Sequence, residues 1–222
     1  EIPIRLVWPD KICSTVPLVY IRGGGWWAGS LASSFPLVEF VAQACGHPVC
    51  MVDFRRTPEF HYPAQLDDCL EAVTWISANA RSLDMSPDSC ILWGESAGAT
   101  LAVQTDLELK QRQKLHMYSD VVAGLVLLYG NFAGPAIEPS SRSQWIWDNY
   151  LGKHGPFGLN DVIVLDRDLS HLPRCWLGVG DLDPLLNDSL ALAHALHQWG
   201  VSYRLRIFQG LPHSFLPMFR LL

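Results

Sequence analysis

Seven short apolar runs, each closed by Gly, Pro, Asp or a similar breaker, constrain this chain more than any other feature. They lie at Ile2–Trp8, Val16–Ile21, Val49–Asp53, Cys90–Trp93, Gly124–Tyr129, Cys175–Val179 and Tyr203–Phe208. Runs of that length and bounding read as strands. Between several of them the apolar residues fall into helical spacing. One such stretch is Ser34–Cys45, with Pro36 placed in its first turn and Gly46 just past its end. Another is Ala64–Leu83, which carries Leu66, Leu70, Val73 and Ile76. Two further helices are predicted after Ser96 and from Asn187, the latter stopping at Gly200, a residue suited to a left-handed terminator. Strands alternating with helices predict an α/β fold, a mainly parallel sheet covered on both faces. The stretch 131–172 breaks the rhythm, being rich in Gly, Pro, Ser and aromatics with no clear strand. Such an excursion reads as a small cap or lid insertion.

Composition narrows the function. With 49% apolar and 17% charged residues in a chain of 222, one unit with a full core is expected over 1–222, and disorder is excluded as a class. The net charge of -6 supplies no basic field for a phosphate backbone, so nucleic-acid binding is not expected. The longest nearly unbroken apolar run, Val121–Tyr129, has nine residues, against the roughly 20 needed to span a bilayer, so no membrane span is expected. The six cysteines form no CxxC pair and sit mostly among apolar neighbours. They read as buried free thiols of a reducing cytoplasm, with disulfides of a secreted protein as the alternative. His194 and His197 have a spacing that can hold a metal, yet no carboxylate or third His accompanies them, and a solvated helix face is the expected reading. No pattern calls for a metal or a cofactor.

The chemistry concentrates in three places. Gly94-Glu95-Ser96-Ala97-Gly98 fits GxSxG, where a serine sits on a sharp strand-to-helix turn whose crowded backbone admits only small residues two positions to either side. Alone the motif is weak. Arg22-Gly23-Gly24-Gly25-Trp26-Trp27 follows the second strand directly, and its glycines let backbone N–H groups turn inward, as an oxyanion hole requires. A phosphate loop would want a Lys and a Ser or Thr after its glycines, and two tryptophans follow instead. Finally, Asp183 comes just beyond the Cys175–Val179 strand and His213 after the last strand. Serine, acid, histidine is the chain order of an α/β-hydrolase triad.

At these residues the sequence resembles the hormone-sensitive lipase-like esterases of the α/β-hydrolase superfamily. The block from Phe54 to Asp68, Phe-Arg-Arg-Thr-Pro-Glu-Phe-His-Tyr-Pro-Ala-Gln-Leu-Asp-Asp, is similar to a specific signature of that family, as are the nucleophile segment and Asp183-Pro184-Leu185. The resemblance implies an α/β-hydrolase fold with Ser96 as nucleophile, His213 as general base and Asp183 as the orienting acid. It implies an oxyanion hole from the N–H groups of Gly24, Gly25 and Ala97, and an ion pair between Arg55 and Glu59 behind it. The expected activity is hydrolysis of short-chain acyl esters, with a small-molecule ester as partner. An arylformamidase-type amidase and a non-catalytic receptor on the same fold are the alternatives, and a homodimer is left open. Trp26, Trp27 and Phe215 are expected to contact the substrate, the two tryptophans crowding the acyl tail. The family's glycine loop begins with His, whereas here Arg22 stands in its place. A guanidinium donates only, so Arg22 is expected to pin the loop through backbone carbonyls or a carboxylate, Asp53 or Glu59.

Overall fold

The computed structural model describes residues 1–114, 121–136, 141–152, 158 and 162–218. Seven strands form one sheet: β1 (Ile4–Val7), β2 (Leu18–Ile21), β3 (Val49–Val52), β4 (Cys90–Glu95), β5 (Val122–Leu128), β6 (Arg174–Gly180) and β7 (Tyr203–Phe208). Their spatial order is β1-β3-β2-β4-β5-β6-β7, with β1 antiparallel to β3 and every other pairing parallel. Each of the seven apolar runs thus supplies one strand. β4 lies in the middle, and all four residues of β3 are buried, as expected of strands covered on both faces.

The two-residue period of the strands feeds two separate cores. Val19, Ile21, Cys50 and Val52 point into a cluster with α2 (Ala64–Asn79), α3 (Ala97–Lys114) and α5 (Leu186–Gln198). Tyr20, Val49, Met51 and Trp93 point the other way, against Leu37, Val38 and Ala42 of α1 (Leu31–Cys45) and against Phe215. Two helices differ from the sequence expectation. α1 begins at Leu31 because Ser30 caps it: the Ser30 hydroxyl accepts from the Ser33 N–H and the Ser33 hydroxyl accepts from the Ser30 N–H. Pro36 therefore falls in the second turn. The helix expected over Ala64–Leu83 ends at Asn79 and tightens into a 3-10 turn over Ala80–Leu83.

Within 131–172 the chain forms a helix, α4 (Ser141–Leu151), and short 3-10 turns at Gly134–Ala136 and Val164–Asp166. Residues 137–140, 153–157 and 159–161 of that stretch lie outside the described residues. Trp147 and Tyr150 of α4 are fully buried against Trp26, whose ring stacks on Tyr150 at 4.0 Å and tilts against Trp147 at 4.9 Å. Aromatic packing of this kind fixes α4 over the loop that follows β2.

Candidate active site

β4 ends at Glu95 and α3 begins at Ala97, so a single residue makes the turn between them. Ser96 takes φ +50°, a left-handed conformation that costs a non-glycine residue roughly 1–2 kcal/mol. The turn is held because the Ser96 N–H donates to the Leu128 carbonyl of neighbouring β5 at 2.8 Å. It is also crowded. A Cβ on Gly98 would lie 2.0 Å from the Ile21 carbonyl oxygen, and one on Gly94 would lie 2.3 Å from the Gly98 oxygen. Both glycines of GxSxG are thus required by close approach of α3 to the sheet.

His213 and Asp183 reach this turn from loops that follow β7 and β6. Ser96 Oγ lies 3.1 Å from His213 Nε2, and His213 Nδ1 lies 3.0 and 2.9 Å from the two carboxylate oxygens of Asp183. A carboxylate can only accept, so Nδ1 carries the proton and Nε2 is left free to accept from the serine hydroxyl. The Asp183 side chain is fully buried and also accepts the Leu185 N–H at 2.7 Å, whereas the His213 side chain is 31% exposed. The nearby acids do other work. Asp181 accepts the Gly210 N–H at 2.7 Å in an exposed turn. Asp188, in the first turn of α5, accepts the N–H groups of Phe132 and Ala133 at 2.8 and 2.9 Å and so anchors the segment leaving β5.

The glycine loop lies beside the serine: a Cβ on Gly23 would come 3.3 Å from Ser96 Cβ. Gly24 takes φ +110° and Gly25 φ +56°, and the Gly24 carbonyl accepts from the N–H groups of Trp27 and Ala28 at 3.1 and 2.9 Å. With that carbonyl turned into the loop, the N–H groups of Gly24 and Gly25 have no backbone partner among the described residues. The Ala97 N–H, at the start of α3, is left unpaired by helix geometry. Gly24, Gly25, Ala97 and Ser96 all line one cavity of about 490 Å³, which also receives His213.

Arg22 is buried beneath this loop at 1% exposure. Its guanidinium donates to the Ala28 carbonyl at 2.5 Å and, more weakly, to those of Gly23 and Phe54 at 3.3 Å, and it covers the Phe54 ring at 4.2 Å. Asp53 Oδ1 stands 3.6 Å from Nε, an ion pair too long for a hydrogen bond. Burial lowers the Arg22 pKa and Asp53 partly opposes that. Glu59 is exposed, and the ion pair expected between Glu59 and Arg55 is replaced by one between Arg55 and Asp68. Asp68, on the buried face of α2, accepts from Arg55 Nε at 3.0 and 2.9 Å, from its terminal nitrogen at 2.6 Å and from its backbone N–H at 2.8 Å. This clamp holds the 54–68 block, whose Thr57 N–H in turn donates to the Trp26 carbonyl at 3.1 Å.

The residues expected to touch substrate separate into three situations. Trp27 lines the cavity and is 46% exposed, meeting the equally exposed Trp145 edge to face at 5.7 Å. Trp26 also borders the cavity, but it is only 1% exposed and its ring packs on Trp147 and Tyr150 of α4. Phe215 does not reach the cavity; it packs in the core against Tyr129 and Phe208, at 5.3 and 5.0 Å. The sequence reading also missed Glu95. This carboxylate is buried directly beneath Ser96 and accepts the hydroxyls of Tyr20 at 2.7 Å and Tyr129 at 2.5 Å. Burial raises its pKa, against the pull of those two hydrogen bonds. The one available signal was a charged residue closing an apolar strand. His194 and His197 are exposed on α5, and among the described residues no three potential ligands gather to hold a metal. All six cysteines are free, but only Cys50, Cys69, Cys90 and Cys175 are buried, Cys13 and Cys45 being exposed; among the described residues no helix is long and apolar enough to cross a membrane.

A mostly parallel sheet with a strained serine at the end of its central strand, and with acid and histidine carried on loops after later strands, defines the α/β-hydrolase class. A family model for the alpha/beta hydrolase fold matches residues 18–217, and the chain belongs to that family, as a hormone-sensitive lipase-like member. The chain is 31% identical over 231 aligned positions to the carboxylesterase NlhH of Mycobacterium tuberculosis, covering 97% of this chain and 72% of that protein. It is 26% identical over 231 positions to an ethyl acetate hydrolase of Pseudomonas putida, covering 98% of this chain and 72% of that protein. Among solved structures it is similar to an esterase from Pyrobaculum calidifontis, with TM-score 0.87 and 25% identity over 100% of this chain and 74% of that one.

Proposed function

We propose that this protein is a serine carboxylesterase that hydrolyses short-chain acyl esters through an acyl-enzyme. The observation that carries the reading is the continuous line Asp183–His213–Ser96, with spacings of 2.9 and 3.1 Å, opening into the cavity beside Gly24 and Gly25. His213 Nε2 takes the hydroxyl proton as Ser96 Oγ attacks the ester carbonyl. The N–H groups of Gly24, Gly25 and Ala97 receive the developing oxyanion, and His213 then returns the proton to the leaving alcohol. A water, deprotonated by the same imidazole, releases the acid. Asp183 holds the imidazole in the tautomer this cycle needs and stabilises it when it is charged.

The short-chain preference rests on the exposed Trp27 ring that lines the cavity beside the oxyanion loop and on likeness to an ethyl acetate hydrolase. The stretch 131–172 is read as a small cap on a hydrolase unit spanning 1–222, because α4 lends Ile146 and Ser143 to the cavity wall. A series of p-nitrophenyl esters from acetate to laurate tests the triad and the chain-length preference. The rate is expected to peak at short chains and to fall by on the order of 10⁴-fold or more in Ser96→Ala. Substantial hydrolysis by a folded Ser96→Ala protein would refute the triad, and a maximum at decanoate or longer would refute the chain-length preference.

A further inference from the structure

The chain carries 16 Lys and Arg against 22 Asp and Glu, so its overall field repels anions. The lining of its cavity does not share that acidic balance. Among the described residues that line it there is no Asp or Glu side chain, and the one Lys or Arg is Arg142, in the first turn of α4. Arg142 is exposed, and it makes no hydrogen bond or ion pair with any described residue. Several other cations of the described residues are engaged: Arg22 on carbonyls, Arg55 on Asp68, Arg56 on the Gly29 carbonyl, Arg112 on Glu108 and Lys110 on Asp106.

Ile146 lies one turn further along the same face of α4, and its side chain would be 3.5 Å from a Cβ placed on Gly25. That contact puts the face over the oxyanion loop. Arg142 lies one turn, about 6 Å, back along the helix axis from Ile146 and lines the same cavity. A guanidinium offers a planar fork of donors that matches a carboxylate and has nothing to match in a neutral alkyl chain.

From this we propose that Arg142 makes the cavity selective for esters that carry a free carboxylate, such as half-esters of dicarboxylic acids. The inference rests on the esterase reading of the same site. It names the substrate class, with the anion on either the acyl or the alcohol portion. Arg142 is a specificity residue: the carboxylate is held alike before and during reaction, so its effect belongs mainly in KM.

The test compares each anionic ester with its neutral counterpart. On the acyl side the pair is monoethyl succinate and ethyl methyl succinate. On the alcohol side it is 4-acetoxybenzoate and methyl 4-acetoxybenzoate. In at least one pair the anionic-to-neutral ratio of kcat/KM is expected to fall roughly 5- to 20-fold in Arg142→Ala, the range being set by a charge-assisted hydrogen bond discounted for exposure. The fall should appear in KM, and Arg142→Lys should restore part of it. Rising salt should erode the ratio in the natural protein but not in Arg142→Ala, where only the overall repulsion of anions is left to be screened. A ratio unaltered by Arg142→Ala in both pairs overturns the inference. Binding of the same two anions to Ser96→Ala, followed by tryptophan fluorescence, gives a readout without turnover. Loss of that binding on adding Arg142→Ala supports the role of Arg142 even if no ester is hydrolysed, and binding that survives refutes it. Absence of all ester hydrolysis by the natural protein would instead refute the esterase reading.

Discussion

Arg22→Ala should damage both stability and catalysis, and the structure sets the size of each effect. The substitution removes a 2.5 Å charge-assisted hydrogen bond to Ala28, two longer ones to Gly23 and Phe54, and the cation over the Phe54 ring. It also leaves Asp53 without its 3.6 Å partner. Hydrogen bonds from a charged donor contribute about 1.5–3 kcal/mol when well formed, and two of these three are long. Relief of the guanidinium's burial offsets part of the loss, and Asp53, whose side chain is 25% exposed, can take up water. The net cost is about 2–4 kcal/mol, which for a chain of this size lowers Tm by roughly 5–12 °C. The catalytic loss follows from position. Arg22 ties the Gly23 and Ala28 carbonyls, which bracket Gly24 and Gly25. Deleting one oxyanion donor costs on the order of 100- to 1,000-fold, so loosening two should cost about 10- to 100-fold in kcat. Arg22 does not line the cavity, so neutral and anionic esters should suffer alike. A thermal melt, with kcat and KM for p-nitrophenyl acetate and hexanoate, reads both effects. An unchanged Tm together with kcat within twofold of the natural protein would refute the reasoning, as would a loss confined to anionic esters.

Two other predictions are independent of the loop. Asp183→Asn should lower kcat by on the order of 10³- to 10⁴-fold, because an amide cannot hold His213 in the needed tautomer. Asp181→Asn, whose amide oxygen can still accept the Gly210 N–H, should stay within a fewfold in the same steady-state assay, and the reverse order would move the acid to Asp181. Glu95 sets a pH effect on stability. Because burial raises its pKa, the folded state holds the carboxyl proton over a window starting near the ordinary value of about 4.3, where the unfolded chain has lost it. That contribution is full below the window and is lost as pH rises through the folded-state pKa. Urea unfolding of Glu95→Gln from pH 4 to 8 should therefore show a smaller fall of stability with rising pH than the natural protein, and an identical profile would contradict the assignment.

What could be read from the sequence was whatever is fixed locally. The five inner strands were legible because a strand buried on both faces reads as a short apolar run between breakers, and the half-exposed edge strands β1 and β7 keep enough apolar residues to show the same bounding. Ser96 and its two glycines were legible because the turn between β4 and α3 tolerates no Cβ at Gly94 or Gly98. Features decided by which face meets which neighbour were not. Phe215 lies two residues from His213, yet it points into the second core, because the chain there crosses Tyr129 and Phe208. Arg55 has Glu59 four residues away but pairs with Asp68, since the first turns of α2 bring that carboxylate back under the loop. α4 was hidden inside a stretch rich in turn formers. Its helix is supported by burying Trp147 and Tyr150 against Trp26, contacts that join residues more than a hundred positions apart in sequence. Glu95 escaped notice for the same reason, its tyrosine partners lying on β2 and just after β5.

The central claim is that Ser96 Oγ is the atom that carries the acyl group. Intact-protein and peptide mass spectrometry after treatment with paraoxon, with ester hydrolysis followed in parallel, tests it most directly. The account predicts one diethylphosphoryl group per chain, located on Ser96, appearing in step with the loss of activity and absent from Ser96→Ala. Phosphorylation of a different residue in step with inactivation, or full activity from a protein modified at Ser96, would contradict it.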